Sequence, residues 1–336
     1  MRNLPAVQDV TNLLLGKYMP ALFDRYCFGR TTSMHQTTAL LRRIRVNRDK
    51  KWFFWTHFSE NCHFPYRAPH SFVKMYSDNK SVRKSFDQED MEYLNSNPEK
   101  ITDEVKQELK VLYSAEVSCI DRQIGMILNS LKKLNLLEKT VILITTDHGE
   151  LLGEYNYIGH GKYIKDPLIH VPLIIHIPGY YERGKRITQF VEEVGIAPTI
   201  LDVCSIKRTE RIQPFDGRSF LSLIYSNEWY KNFIYSSVVR WDGETFRCAY
   251  RTKEYKLIWD STKNGFELYD LMNDPGEREN VIQRNPAVAN ELEQQLFAFV
   301  KKRSQNGDSL ASLRPDTVMR VDEDMRETLK ALGYIK

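Results

Sequence analysis

The sequence predicts an α/β fold: a central, mostly parallel or mixed sheet flanked by helices, followed by a small C-terminal antiparallel α+β subdomain. Three observations carry this. A long amphipathic stretch over 102–134 runs straight into a β-branched apolar run at 140–146. A second apolar run of strand length lies at 171–177. From about residue 230 the texture changes to short alternating segments separated by turn residues.

Taken in order, residues 1–50 show little periodicity and end in a basic stretch, Arg42 to Lys51. They form a poorly assigned N-terminal segment. Trp52-Phe53-Phe54-Trp55-Thr56-His57-Phe58 reads as an aromatic strand contributing to a buried core. Residues 77–100 are polar and charged and read as a surface excursion. Thr102 before Asp103 and Glu104 is a helix start. Behind it Val105, Leu109, Leu112, Val117, Ile120, Ile124, Ile127, Leu131 and Leu134 recur at three or four, giving one apolar face. The continuous run 140–146 suits a strand buried on both faces. Ala197-Pro198-Thr199-Ile200-Leu201 reads as a short helix with proline in its first turn. The segments 233–239, 246–250, 255–259 and 266–271 form a meander, with turns at Asp242-Gly243 and Asn264-Gly265. A helix follows, with Val288, Leu292, Leu296 and Phe299 on one face. The division expected is 1–50, an α/β core over 51–229, and the subdomain over 230–336.

Composition excludes several classes. Of 336 residues, 42% are hydrophobic and 27% charged, which suits a globular chain and not a disordered one. No apolar run approaches the ~20 residues a membrane helix needs. The 48 basic and 44 acidic side chains are interspersed and leave a net charge of +4, so neither a nucleic-acid stripe nor a polybasic membrane anchor is expected. The 5 cysteines are odd in number and none share a CxxC spacing, which argues against a disulfide framework and a cysteine zinc site. The N-terminus is a poor signal peptide, so a cytoplasmic location is expected.

Chemistry concentrates in three places. Asp147-His148-Gly149-Glu150 stands directly after the run 140–146, and ligands of open α/β sheets bind beyond the carboxyl ends of strands. Asp147 offers hard oxygens and His148 a ring nitrogen, a pairing that suits a divalent metal or a polar turn capping the strand. Gly149 would let the backbone turn close to a ligand. His160-Gly161-Lys162 sits in a loop bracketed by Gly153 and Gly159, where an imidazole and an ammonium suit an anionic ester. His63, in Cys62-His63-Phe64-Pro65-Tyr66, falls just past the aromatic segment.

Together these segments resemble the sulfatases of the alkaline phosphatase superfamily. Asp147-His148-Gly149-Glu150, His160-Gly161-Lys162, Val171-Pro172-Leu173-Ile174-Ile175 and Pro178-Gly179 resemble the family's central block. His63-Phe64-Pro65-Tyr66 resembles its His-x-Pro-Tyr segment, and Tyr113-Ser114-Ala115-Glu116-Val117 with Asp121-Arg122-Gln123-Ile124-Gly125 its long helix. Gly217-Arg218-Ser219-Phe220, Tyr255-Lys256-Leu257-Ile258, Glu267-Leu268-Tyr269-Asp270-Leu271, Asp274-Pro275-Gly276-Glu277 and Leu332-Gly333-Tyr334 follow in family order from about residue 50 onward.

The resemblance implies hydrolysis of a carbohydrate or aryl sulfate ester, with phosphodiester or phosphonate hydrolysis or a non-catalytic binding module as alternatives. It implies that Asp147 and His148 bind one divalent cation, Ca2+ or Mg2+, and that His63 with His160 or Lys162 holds the sulfate oxygens. Two departures stand out. The sequence contains no Asp-Asp pair to complete the metal site and no Cys-x-Pro-x-Arg segment to supply a formylglycine nucleophile. Cys27-Phe28-Gly29-Arg30 lacks the proline and the spacing. The expectation is a sulfatase that begins after its nucleophile and binds its cation weakly.

Overall fold

The computed structural model describes residues 33–305 except 59–61, 78–81, 83–84, 181, 183, 207–214, 216, 227, 229–230, 240–245 and 264. Cys27, the turn residues Asp242, Gly243 and Asn264, and the tail 332–334 lie outside the described residues. The fold is α/β with a C-terminal antiparallel sheet. The chain divides into two compact units: residues up to 140 with 150–159, and 141–149 with 160 onward.

The first unit is built on helices α1 (Ser33–Val46), α2 (Gln88–Ser96) and α3 (Asp103–Lys133). Helix α3 starts and stops as the sequence dictates. The Thr102 side chain accepts from the Val105 N–H, acidic residues occupy the first turn and Lys132 and Lys133 the last. Its buried stripe differs from the one expected. Val117 is exposed, while Leu109, Leu112, Ala115, Glu116, Cys119 and Gln123 face inward. Two polar residues, Glu116 and Gln123, lie on the core face, and Glu116 is held there by backbone amides that apolar counting does not see.

Segment 77–100, expected as a surface excursion, delivers core residues. Phe86 and Tyr66 exchange both backbone hydrogen bonds, at 2.9 and 3.2 Å. Both are buried with Leu94, Ile101, Leu109, Leu112 and Ile158. Asp87 caps α2 in a capping box with Asp90. Two short strands, β2 (Leu151–Leu152) and β3 (Ile158–Gly159), pair antiparallel (β1 precedes them in the chain). Asn95 brackets β3, accepting from the Ile158 N–H at 2.9 Å and donating to its carbonyl at 2.8 Å. Gly153 and Gly159 take φ of +104° and +105°, and a Cβ on Gly153 would fall 2.5 Å from Lys106. The hairpin therefore needs glycine there.

The aromatic segment 51–58 is not a strand. It has no ladder partner among the described residues. Phe53 and Trp55 are exposed, and the alternate residues Trp52, Phe54 and Thr56 are half-buried. The period-two pattern is present, but without a neighbouring strand it buries one face only.

In the second unit, β1 (Ile142–Thr145) pairs antiparallel with β4 (Leu173–His176), in register Ile142↔His176 to Thr145↔Leu173. This pair is the described part of the central sheet. Its antiparallel pairing is one that a mixed sheet contains. Strand β1 is half-buried, not buried on both faces, with β4 its one partner among the described residues. Helices α4 (Ile196–Val203) and α5 (Leu221–Ser226) follow, and Pro198 lies in the first turn of α4.

The meander forms as expected: β5 (Ile234–Val239), β6 (Phe246–Arg251), β7 (Tyr255–Asp260) and β8 (Gly265–Asp270), in sequential antiparallel order. The period of two gives it two distinct faces. On one, Cys248, Tyr250, Leu257 and Leu268 pack with Ala289, Leu292 and Leu296 of α6 (Pro286–Gln305). On the other, Ala249, Ile258, Tyr269 and Leu271 pack with Ile164 and Ile169. Each fully buried aliphatic side chain contributes about 1.5–3 kcal/mol. The second face is thus committed to holding the segment just after His160.

Candidate active site

Strand β1 ends in a tied-down turn. Thr145 Oγ1 donates to the Pro172 carbonyl on the approach to β4 at 2.9 Å, and Thr146 Oγ1 donates to the His148 carbonyl at 3.0 Å. Asp147 is exposed and accepts from the His148 N–H at 3.2 Å. His148 Nδ1 lies 2.8 Å from the Gly149 carbonyl. A carbonyl only accepts, so Nδ1 carries the proton and Nε2 offers its lone pair. That Nε2 is 3.9 Å from Asp147 Oδ1.

Gly149 packs closely on another piece of backbone. Its N–H donates to the Leu168 carbonyl at 2.8 Å, and a Cβ would lie 2.0 Å from the Pro167 carbonyl oxygen. His160 stacks on His148 with ring centroids 3.9 Å apart and planes 27° apart. Asp147, His148 and His160 are therefore brought together. Lys162 Nζ sits 5.1 Å from the Tyr163 ring, and its carbonyl accepts from Arg247.

His63 lies in the first unit, in a loop whose two ends meet one carboxylate. Glu116 Oε2 accepts from the Cys62 N–H at 2.6 Å and Oε1 from the Arg67 N–H at 2.5 Å. Glu116 is fully buried. Burial pushes its carboxyl up to about 7, against the pull of those two hydrogen bonds and with the push of the Glu150 charge. Burial pushes the Cys62 thiol up to about 12, helped by Glu116 and Glu150, so Cys62 is no activated nucleophile. The Tyr66 and Tyr113 hydroxyls are pushed upward for the same reason.

Sequence reading missed Glu116 and Glu193. Glu116 was legible in principle, since it falls four after Leu112 and three before Cys119. Glu193 carried no signal. Its carboxyl is held up to about 7 by desolvation and by the negative charge of Asp147, which places another carboxylate in the surroundings of that turn.

Matches to known proteins now bear on this geometry. The sulfatase family model matches residues 9–206, and that of the N-sulphoglucosamine sulphohydrolase C-terminal region matches 153–303. The chain belongs to the sulfatase family. The match begins at residue 9, earlier than the resemblance expected, so much of the unassigned N-terminal segment falls inside it. Bovine arylsulfatase K is 28% identical over 60% of this chain and 38% of its own length. An N-acetylglucosamine-6-O-sulfatase of Bacteroides thetaiotaomicron is 29% identical over 58% of this chain and 36% of its own. The sulfatase chain thus spans less than two fifths of these curated relatives. A phosphonate monoester hydrolase from Silicibacter pomeroyi superposes with a TM-score of 0.63 at 22% identity, covering 88% of this chain and 63% of that one. That similarity establishes the fold. Among the described residues no helix is long and apolar enough to cross a membrane.

Proposed function

We propose that this sulfatase-family chain recognises sulfate esters, of carbohydrate or aryl alcohols, with the help of a divalent cation. The observation that carries the reading is the turn after β1. There Asp147 and the Nε2 lone pair of His148 face one region, and His160 stacks on His148. The donor set fits such a cation. A hard carboxylate is an ordinary ligand of such a cation, and the imidazole adds a nitrogen lone pair, the Gly149 carbonyl acting as the outer partner that orients His148. Asp147 and His148 would hold Ca2+ or Mg2+, whose chemistry is to offset negative charge on the sulfate oxygens. Two protein ligands leave most of a calcium ion's six to eight positions to water, so binding should be weak, at about millimolar concentration.

His160 and Lys162 would donate charge-assisted hydrogen bonds to the sulfate oxygens. The stacking of the two rings, 3.9 Å between centroids, sets His160 beside His148 at this turn. The sequence contains no Cys-x-Pro-x-Arg segment, so turnover of a chromogenic sulfate ester by this chain is expected to be negligible. The wider assignment is part of the same reading. Residues 51–229 form the sulfatase-like core, residues 230–336 the subdomain, and the setting is cytoplasmic, in keeping with free thiols at Cys62, Cys119, Cys204 and Cys248.

The test is equilibrium binding of an aryl sulfate to the chain with calcium or magnesium present, against a phosphodiester of matched leaving group. Preference for the sulfate, lost in Asp147→Ala and weakened in His160→Ala, supports the reading. Equal or better phosphodiester binding, or indifference to both substitutions, overturns it.

A further inference from the structure

The C-terminal sheet carries a buried ionic cluster with no part in the site described above. Lys256, on β7, has no exposed surface, and its Nζ donates to Asp166 Oδ1 and Glu277 Oε1, each at 2.9 Å. Arg251 is its cross-strand partner on β6 and donates to Asp166 Oδ2 at 3.0 Å. Glu277 Oε1 also accepts from the Asp166 N–H at 2.7 Å. Lys165 lies 3.7 Å from Glu277 Oε2 and 3.4 Å from the Tyr269 ring centroid. Four residues earlier on β6, and on the same face, Arg247 pairs with Asp260 at 2.8 Å and donates to the Lys162 carbonyl.

Such a cluster is a poor device for stability. Removing this many charges from water costs several kcal/mol per ion, and apolar replacements of similar volume are often no worse. Glu277 is moreover held at φ +49°, a left-handed conformation that a non-glycine residue adopts only under constraint. What the cluster does fix is place. It fastens Asp166 through both carboxylate oxygens and its amide. Asp166 opens the helical turn Asp166–Ile169, and that turn supplies the Leu168 carbonyl that receives Gly149. Upstream, Arg247 pins the carbonyl of Lys162.

We propose that the C-terminal sheet is the positioning element for both ligand-facing loops of this unit. Lys256, Arg251 and Glu277 set Asp166, and through it the His160–Lys162 loop and the Asp147–His148 turn. Lys256 is a positioning residue acting through Asp166. The functional half of this proposal rests on the sulfate-ester reading above.

The experiment compares the full chain with Lys256→Met, a replacement of similar volume. Amide exchange should quicken ~tenfold or more across 161–168 while the β5–β8 core keeps its protection. The ring proton shifts of His148 and His160 should move, because their stacking sets mutual ring-current shifts that a purely structural lysine would leave alone. Aryl sulfate affinity should fall ~tenfold. Lys263→Ala, in the turn between β7 and β8 and well exposed, should change none of these. Unchanged loop exchange and unchanged histidine shifts in a folded Lys256→Met protein overturn the proposal. Moved loop signals with unaltered aryl sulfate affinity uphold the positioning and sink the sulfate-ester reading. If Lys256→Met does not fold, Arg251→Lys keeps the charge and replaces the guanidinium that donates to Asp166 Oδ2. There too, unmoved loop signals overturn the proposal.

Discussion

Two loops of this chain that carry candidate ligand-facing histidines are fastened in opposite ways. The His63 loop is held by one carboxylate, Glu116, which takes the amides of Cys62 and Arg67 and has no cation bonded to it among the hydrogen bonds described. The His160 loop is held by Asp166, with Lys256 and Arg251 opposite its charge. Burial alone would raise both carboxyls. For Asp166 the two cations outweigh burial and hold it below the usual carboxylate range. For Glu116 burial wins and the carboxyl rises to about 7. The first clamp therefore titrates near neutrality and the second stays ionised down into acid.

The largest expected effect tests the second clamp. Lys256→Ala would leave Asp166 and Glu277 with less compensation in a site that excludes water, and breaking a buried pair in this way costs about 3–5 kcal/mol. A urea denaturation midpoint measures it. A loss below about 1 kcal/mol would mean that water reaches the cluster and that the contrast between the clamps is false.

Next comes the pH dependence of the first clamp. Glu116 binds its proton more tightly in the folded chain, near 7 against an ordinary 4.5. Its contribution is therefore complete below about 4.5 and is lost as pH rises through 7, a change of about 3 kcal/mol. Stability measured from pH 4 to 9 should contain this falling component, and Glu116→Gln should remove it. If the difference between wild type and Glu116→Gln does not vary with pH, Glu116 is not the titrating clamp. The Asp166 clamp runs the other way, since its depressed carboxyl lends stability at neutral pH that is lost as pH falls through its folded value.

These differences mark where the sequence is readable. Helix α3 and the meander follow from periodicity, because each buries one face at a fixed spacing, and strands β1 and β4 follow from continuous apolar runs of strand length. The aromatic run 51–58 misleads, because alternation predicts a pleated face but not the partner strand. Asp147, His148 and His160 were legible as chemistry at a strand end. The residues that hold them were not. Lys256 and Glu277 lie in segments quoted for their resemblance, yet nothing local says that a lysine between Tyr255 and Leu257 faces away from water. Its burial comes from pairing with Asp166, 90 residues earlier in the chain. Glu116 has the same origin: a polar residue on a core face, explained only by amides 54 and 49 residues away.

A smaller effect separates backbone contact from charge within the second clamp. Gly149→Ala places a methyl 2.0 Å from the Pro167 carbonyl, and that oxygen belongs to backbone with little room to give. Forcing an atom into such a contact costs about 1–3 kcal/mol. The effect should appear equally at low and high salt, unlike the electrostatic changes. If Gly149→Ala is neutral in thermal unfolding, the turn after β1 is looser than its hydrogen bond to Leu168 indicates, and the coupling from Asp166 to His148 breaks at this step.

The smallest effect is the control that gives the comparison its meaning. Lys263 and Glu267 form an ion pair at 2.6 Å, shorter than any contact Lys256 makes, in the same subdomain. By distance alone it should be the stronger interaction. Lys263 is 62% exposed, however, and water and salt screen its charge while its long side chain keeps its freedom. The Lys263 ammonium is raised through its hydrogen bond to Glu267, yet at this exposure little of that shift reaches the folding equilibrium. Lys263→Ala should therefore change stability by less than about 0.5 kcal/mol, and by less still in 0.5 M salt. The denaturation assay used for Lys256→Ala measures both substitutions on one scale. Two lysines of one subdomain, both paired with carboxylates, should then differ by several kcal/mol because one is dry and the other wet. Should they cost the same, burial is not what distinguishes them, and the case for Lys256 as a positioning residue loses its physical basis.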